Sequence, residues 1–149
     1  DKKSPFLRSI IVNKGSKDKI KLGMVALDGE YLVGKIVEVN YASSRVLLLS
    51  DLNSKIPVVV EPIGMLSILS GTGKDNAIIQ YSKIEEAINT TSIIYTSGSA
   101  GLFKSGIPVG KIEKINSNEG QVVELFSDFS QLNFVKIVSF KNLETQWQD

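Results

Sequence analysis

Val33-Gly34-Lys35-Ile36 and Val109-Gly110-Lys111-Ile112 are one string written twice, and the strings have company on both sides. Upstream, Gly15-Ser16 followed by Ile20, Gly23 and Met24 matches Gly98-Ser99 followed by Phe103, Gly106 and Ile107 without a gap. Downstream, Leu48-Leu49-Ser50-Asp51 matches Leu125-Phe126-Ser127-Asp128. Matches that recur in the same order mark an internal repeat, here with the stretch Met24–Leu32 shortened in the second copy. Two related β modules are expected, joined near Pro62–Gly64. Residues 1–63 form the first barrel, with room to recruit later strands; residues 64–140 form the second, and 141–149 a tail. The alternative is one large sandwich whose halves look alike because strand–turn grammar repeats.

Working outward from the repeat, the rest of the chain has the texture of short β-branched runs between polar turns. Leu32–Val39, Val46–Leu49, Ile56–Val60, Met65–Leu69, Ala77–Tyr81, Ile93–Thr96 and Val122–Phe126 are of strand length, and their spacing suits a barrel or sandwich. Asp28-Gly29 between apolar runs is a hairpin signal. Consecutive apolar residues such as Val46-Leu47-Leu48-Leu49 fit strands covered on both faces, or strands with one face in a small barrel and the other against a neighbour. Lys83–Ile88 alone has helical composition, and it is too short for more than a turn or two. The fold class is therefore all-β, a pair of related modules built as barrels or one large sandwich.

The repeated small residues have mechanical readings. Gly34 and Gly110 lie inside strands, where glycine marks a bulge, a sharp bend or close backbone approach. Gly15, Gly23, Gly98 and Gly106 are expected in turns with positive φ. Asp51 and Asp128 each follow a strand and are expected to cap turns by accepting backbone N–H bonds. Pro57 is counted with these turn and bend positions. Gly71-Thr72-Gly73-Lys74 lacks the spacing of a phosphate loop and no strong helix follows it.

Composition removes several function classes. Charged residues are 22% of 149 and the formal net charge is +1, so nucleic acid is not the expected ligand. There is no cysteine and no histidine, which excludes disulfides, zinc–thiolate sites and the common histidine triads. A Ser–Lys dyad among Ser97, Ser99, Lys104 and Ser105 is formally available, but serine and lysine in a glycine-rich loop are ordinary turn residues. No catalytic residue, cofactor or metal ligand is assigned. Lys2, Lys3, Arg8, Lys14, Lys17, Lys19 and Lys21 crowd the start. They fit a solvated edge strand that discourages edge pairing, or a face for acidic partners or anionic lipid. No run approaches the length of a membrane helix, and the chain reads as a piece of something longer.

The motifs together resemble the extracytoplasmic region of the bacterial rod-shape-determining MreC family. Asn13-Lys14-Gly15-Ser16, Gly23-Met24-Val25 and Leu32–Val39 are similar to its opening, and Ser43–Val58 is a near-complete match to its most recognisable block. Thr96-Ser97-Gly98, Phe103 and Gly106–Ile112 match its second block. Lys19 and Ala100 stand where the family usually has glycine. The resemblance implies an all-β architecture of two small, related barrels of about six strands each, packed together, and a non-enzymatic scaffold of the cell-elongation machinery. It would be anchored in the inner membrane by an N-terminal helix missing here and project into the periplasm. It would self-associate as a dimer or filament and bind the elongation-specific peptidoglycan transpeptidase, alongside MreD and MreB. The competing readings are a degenerate chymotrypsin-like barrel hydrolase and an OB-like nucleic-acid binder. Candidate partner-binding residues are Tyr31, Tyr41 and Phe103, aromatics beside strand Leu32–Asn40 or in a glycine-rich loop; at least one is expected to be exposed and to touch a partner.

Overall fold

The computed structural model describes residues 8–80, 91–98, 104–116, 120–132 and 134–139. Among these the strands are β1 (Ser9–Val12), β2 (Val25–Asp28), β3 (Tyr31–Val39), β4 (Ser44–Leu48), β5 (Lys55–Glu61) and β6 (Met65–Gly71). They continue with β7 (Ala77–Ile79), β8 (Ile93–Thr96), β9 (Pro108–Asn116), β10 (Gly120–Leu125) and β11 (Lys136–Val138). The protein is all-β. One sheet has five strands in the order β1-β4-β3-β2-β11, and six strands close a barrel in the order β10-β7-β6-β5-β8-β9. All pairings are antiparallel. The helical segment expected at Lys83–Ile88 lies outside the described residues.

Strand β5 pairs with β6 and β8, inside the closed barrel, and Pro62–Gly64 form the turn of the β5–β6 hairpin. A line drawn at residue 63 therefore runs through a hairpin. Conversely β11, near the end of the chain, returns to pair with β2 in the first sheet.

The repeat is realised in backbone geometry. Hairpins β3–β4 and β9–β10 correspond, and each carries a bulge at the same place. Ile36 pairs Val46 while Glu38 pairs Arg45, leaving Val37 extra. Lys114 pairs Val122 while Ile112 pairs Val123, leaving Glu113 extra. Gly34 and Gly110 precede these bulges at equal spacing, and both are required by close approach. A Cβ on Gly34 would fall on the Leu47 carbonyl oxygen, and one on Gly110 on that of Glu124. The bulge adds local twist and the glycine lets the paired backbone come close, which together bend a short hairpin enough to wrap a small core.

Two cores result. Ile56, Val58, Val60, Leu69, Ile79, Ile94, Val109, Ile112 and Val123 fill the barrel, and Val25, Leu32 and Leu49 of the first half join them. Ile20, Ala26, Val33, Ile36, Val46 and Leu48 form the core of the five-stranded sheet. The sheet is thus covered on both faces. That is why Val46-Leu47-Leu48-Leu49 does not alternate: Val46 and Leu48 face the sheet's own core, while Leu49 faces the barrel's.

Turn positions divide. Gly23, Gly98 and Gly106 take positive φ of 87, 74 and 87°. Gly15 does not: its φ is −145°, and it must be glycine because Asn40 and Tyr41 carbonyl oxygens press on it. The left-handed residue of that turn is Lys19, φ 68°. Asp51 accepts the Asn53 N–H at 2.7 Å and Asp128 the Ser130 N–H at 3.0 Å, the same turn capped twice. Pro57 is no turn residue but sits within β5. Its carbonyl accepts the Ser97 N–H at 3.3 Å, so its donorless nitrogen faces the same neighbour, just beyond the last pair of the β5–β8 ladder, Val58–Thr96.

Candidate partner-binding surface

The β3–β4 turn presents Tyr41, 73% exposed. The turn is held from below: Asn40 N donates to Ser43 O at 2.8 Å, Ser16 N to Asn40 O at 2.9 Å and Lys17 N to Tyr41 O at 3.1 Å. Ser44 Oγ ties the same corner to Lys14 O at 2.7 Å. Lys17 Nζ lies 5.9 Å from the Tyr41 ring centroid, leaving a cationic rim on a rigid aromatic knob. Tyr31, at 36% exposure, packs its ring 5.1 Å from that of Phe126 and so spends much of its surface on the joint between the halves. Phe103 lies outside the described residues.

That joint is polar as well as aromatic. Ser127 is buried and its Oγ donates to Leu32 O at 2.9 Å. On the other side Arg8 N donates to Asp51 Oδ2 at 2.8 Å, and Arg8 Nε to Ser50 Oγ at 2.9 Å. Its guanidinium also pairs with Asp75 at 2.7 Å, across to the β6–β7 turn. Within that turn, Gly73 N donates to Ser50 O at 2.7 Å and Lys74 N to Thr72 Oγ1 at 3.2 Å. With Gly71 N donating to Ser54 O at 3.1 Å and Thr72 N to Asn76 O at 3.3 Å, all four N–H groups of Gly71–Lys74 that a phosphate would need are committed to the fold.

A second apolar surface was not foreseen. On the outside of the barrel, Leu66 is 67% and Ile68 43% exposed. Cross-strand pairing sets Val59 between Leu66 and Tyr95, and Pro57 beside Ile68, so these side chains form one stripe over β6, β5 and β8. The apolar runs Ile56–Val60 and Met65–Leu69 carried the signal, but continuous runs do not say whether the outer face meets protein or solvent. Among the described residues no group of acidic side chains is placed to hold a metal, and no helix is long and apolar enough to cross a membrane.

The family model described as rod shape-determining protein MreC, barrel core, matches residues 1–139. The chain belongs to the MreC family. It is 32% identical over 144 residues to the cell shape-determining protein MreC of Cereibacter sphaeroides, covering 97% of this chain and 48% of that protein. It is 34% identical over 142 residues to the MreC of Caulobacter vibrioides, covering 95% and 41%. The chain thus spans about half the length of these relatives or less. The crystal structure of MreC from Pseudomonas aeruginosa superposes with a TM-score of 0.82 at 28% identity, covering 92% of each chain. The same fold appears, at 19% identity and TM-score 0.73, in the major periplasmic domain from the cell shape-determining filament MreC. It appears again, at 17% and 0.60, in a complex between penicillin-binding protein PBP2 and MreC from Helicobacter pylori.

Proposed function

We propose that this chain is the extracytoplasmic part of a non-enzymatic scaffold that holds peptidoglycan-synthesising enzymes to the cell-elongation machinery. The observation that carries the reading is membership of the MreC family across residues 1–139. The Helicobacter pylori relative in complex with PBP2 supports a transpeptidase as partner, and the filament-forming relative supports self-association. In this reading an inner-membrane anchor outside the chain holds it in the periplasm. The protein assembles as a dimer or filament, acts with MreD and MreB, and activates the transpeptidase by binding rather than by chemistry. Two bulged hairpins locked through Ser127 and the Tyr31–Phe126 pair make a rigid body suited to presenting surface.

The test is a pull-down of the elongation transpeptidase with the full-length anchored protein, with Tyr41→Glu and Leu66→Glu placing a charge on each half. Loss of capture with one variant and not the other supports the reading and locates the interface. No capture by the unmodified protein overturns it.

A further inference from the structure

The two halves are not equally complete. In the barrel, β7-β10-β9-β8-β5 is an arc whose ends are joined by β6, antiparallel to both β5 and β7. In the first sheet, β1-β4-β3-β2-β11 is the same arc, with β3 and β4 in the places of β9 and β10, and among the described residues no strand stands in the place of β6. Strand direction alternates across the five, so β1 and β11 run the same way. An all-antiparallel barrel needs an even number of strands, so these two edges cannot close on each other in that pattern. One strand, antiparallel to both, completes it.

Between the edges lies a groove of about 550 Å³, lined by Ile10, Val12, Leu132, Phe134, Val135 and Ile137, with Lys14 at one end. Phe134 is 87% exposed. The edges offer backbone bonds as well. Leu48 N donates to Arg8 O, which puts Ile10 and Val12 in the bonded pairs with β4 and turns the N–H and C=O of Ile11 outward. On β11, Met24 bonds to β3, so Val25 and Leu27 face β11 and pair with Val138 and Lys136. The N–H and C=O of Ile137 are left on the open side. Among the described residues the one charged side chain lining the groove is Lys14, just past the C-terminal end of β1.

We propose that the groove between β1 and β11 is a strand-docking site for an extended segment of a partner polypeptide. The segment runs antiparallel to both edges, sets alternate apolar side chains against Ile10, Val12, Phe134 and Ile137, and carries a carboxylate at its N-terminal end opposite Lys14. Main-chain bonds to Ile11 and Ile137 supply affinity for any extended chain, and the apolar alternation and the carboxylate supply selection. Lys14 also discourages pairing with neutral or basic edges. The inference rests on the chain being a binding module but not on which partner it serves.

The test uses the whole chain and a fluorescein-labelled peptide, Asp-Glu-Val-Thr-Val-Thr-Val-Thr, read by fluorescence anisotropy and by amide NMR. Saturable binding is expected, with the largest shifts at the Ile11 and Ile137 amides. Ile11→Pro, which removes an edge donor without touching the β1–β4 ladder, and Phe134→Glu, at an exposed position, should each weaken binding about tenfold or more. Lys14→Glu should weaken it likewise and be rescued by a peptide with lysines in place of its two acids. Three results overturn the proposal. The peptide fails to bind, or shifts map elsewhere. The Ile11 and Ile137 amides are already protected from hydrogen exchange in the monomer without peptide, which means that the chain pairs its own edges. Or Phe134→Glu converts a dimer to monomer, which makes a second copy the occupant. Failure of the peptide leaves the scaffold reading standing, because the transpeptidase pull-down does not depend on this groove.

Discussion

Replacing Gly34 with alanine should cost stability far beyond what one methyl group suggests. The new Cβ would land on the Leu47 carbonyl oxygen, with Leu47 C at 2.9 Å and Val46 Cγ1 at 3.1 Å. The obstruction is backbone, so no rotamer change relieves it. β3 and β4 must part by roughly 1.5 Å or more for the methyl to reach ordinary contact distance. That stretches neighbouring ladder bonds, each worth about 1 kcal/mol net, and adds overpacking of about 1–3 kcal/mol. The expected loss is about 2–5 kcal/mol, a large part of a typical domain's stability. In urea, followed by far-ultraviolet circular dichroism, the midpoint should fall by about 1–3 M at unchanged slope. Gly110→Ala, whose Cβ would meet the Glu124 carbonyl with Val123 Cγ1 at 2.9 Å, should behave alike. Gly29→Ala is the control: its φ is +61° and nothing lies within 4 Å of the added Cβ, so only the left-handed conformation is penalised, at about 1 kcal/mol. A midpoint shift below roughly 0.5 M for Gly34→Ala would refute the close-approach argument.

Lys19→Gly should stabilise by about 0.5–1 kcal/mol, since Lys19 holds φ 68° in a turn that needs a left-handed residue; thermal melting reads it as a rise of a few degrees. Ser127→Ala removes the buried donor to Leu32 O and should cost about 1–3 kcal/mol, with faster hydrogen exchange at the joint between the halves as its signature. Gln121 is wholly buried and its Oε1 and Nε2 find no partner among the described residues; Gln121→Leu should therefore raise the urea midpoint, with a gain of about 1–2 kcal/mol. An unchanged or lower midpoint would mean that the amide is satisfied after all.

How much of this was legible depends on what each signal reports. Gly34 and Gly110 were readable as bends because a strand-interior glycine has few other uses, and the repeat doubled the evidence. Gly15 was misread because sequence cannot separate a glycine chosen for positive φ from one chosen for closeness; the pressure comes from Asn40 and Tyr41, distant in sequence. Lys19 concealed the true left-handed position behind a side chain that gives no such cue. Pro57 looked like punctuation, but its nitrogen faces a place where the ladder had ended. Pro62-Ile63-Gly64 reads as a joint between modules because it is turn chemistry, and turn chemistry is the same within a barrel as between barrels. The return of β11 is a long-range pairing set by packing, which no local pattern encodes.

Tyr41 and the Leu66–Ile68 stripe lie on different sheets and present different chemistry, and the joint between the sheets decides whether they act as one surface or two. Ser127–Leu32, Arg8–Asp75 and Tyr31–Phe126 bridge it, while Val25, Leu32 and Leu49 run the barrel's core through it. A flexible joint would expose these side chains and break a buried hydrogen bond whenever the halves moved, at a cost of several kcal/mol. The halves therefore move as one body. A partner that grips the outer barrel also fixes where Tyr41 and the β1–β11 groove point, so one chain can hold one protein and aim a second site at another. That is what the proposed scaffold role requires.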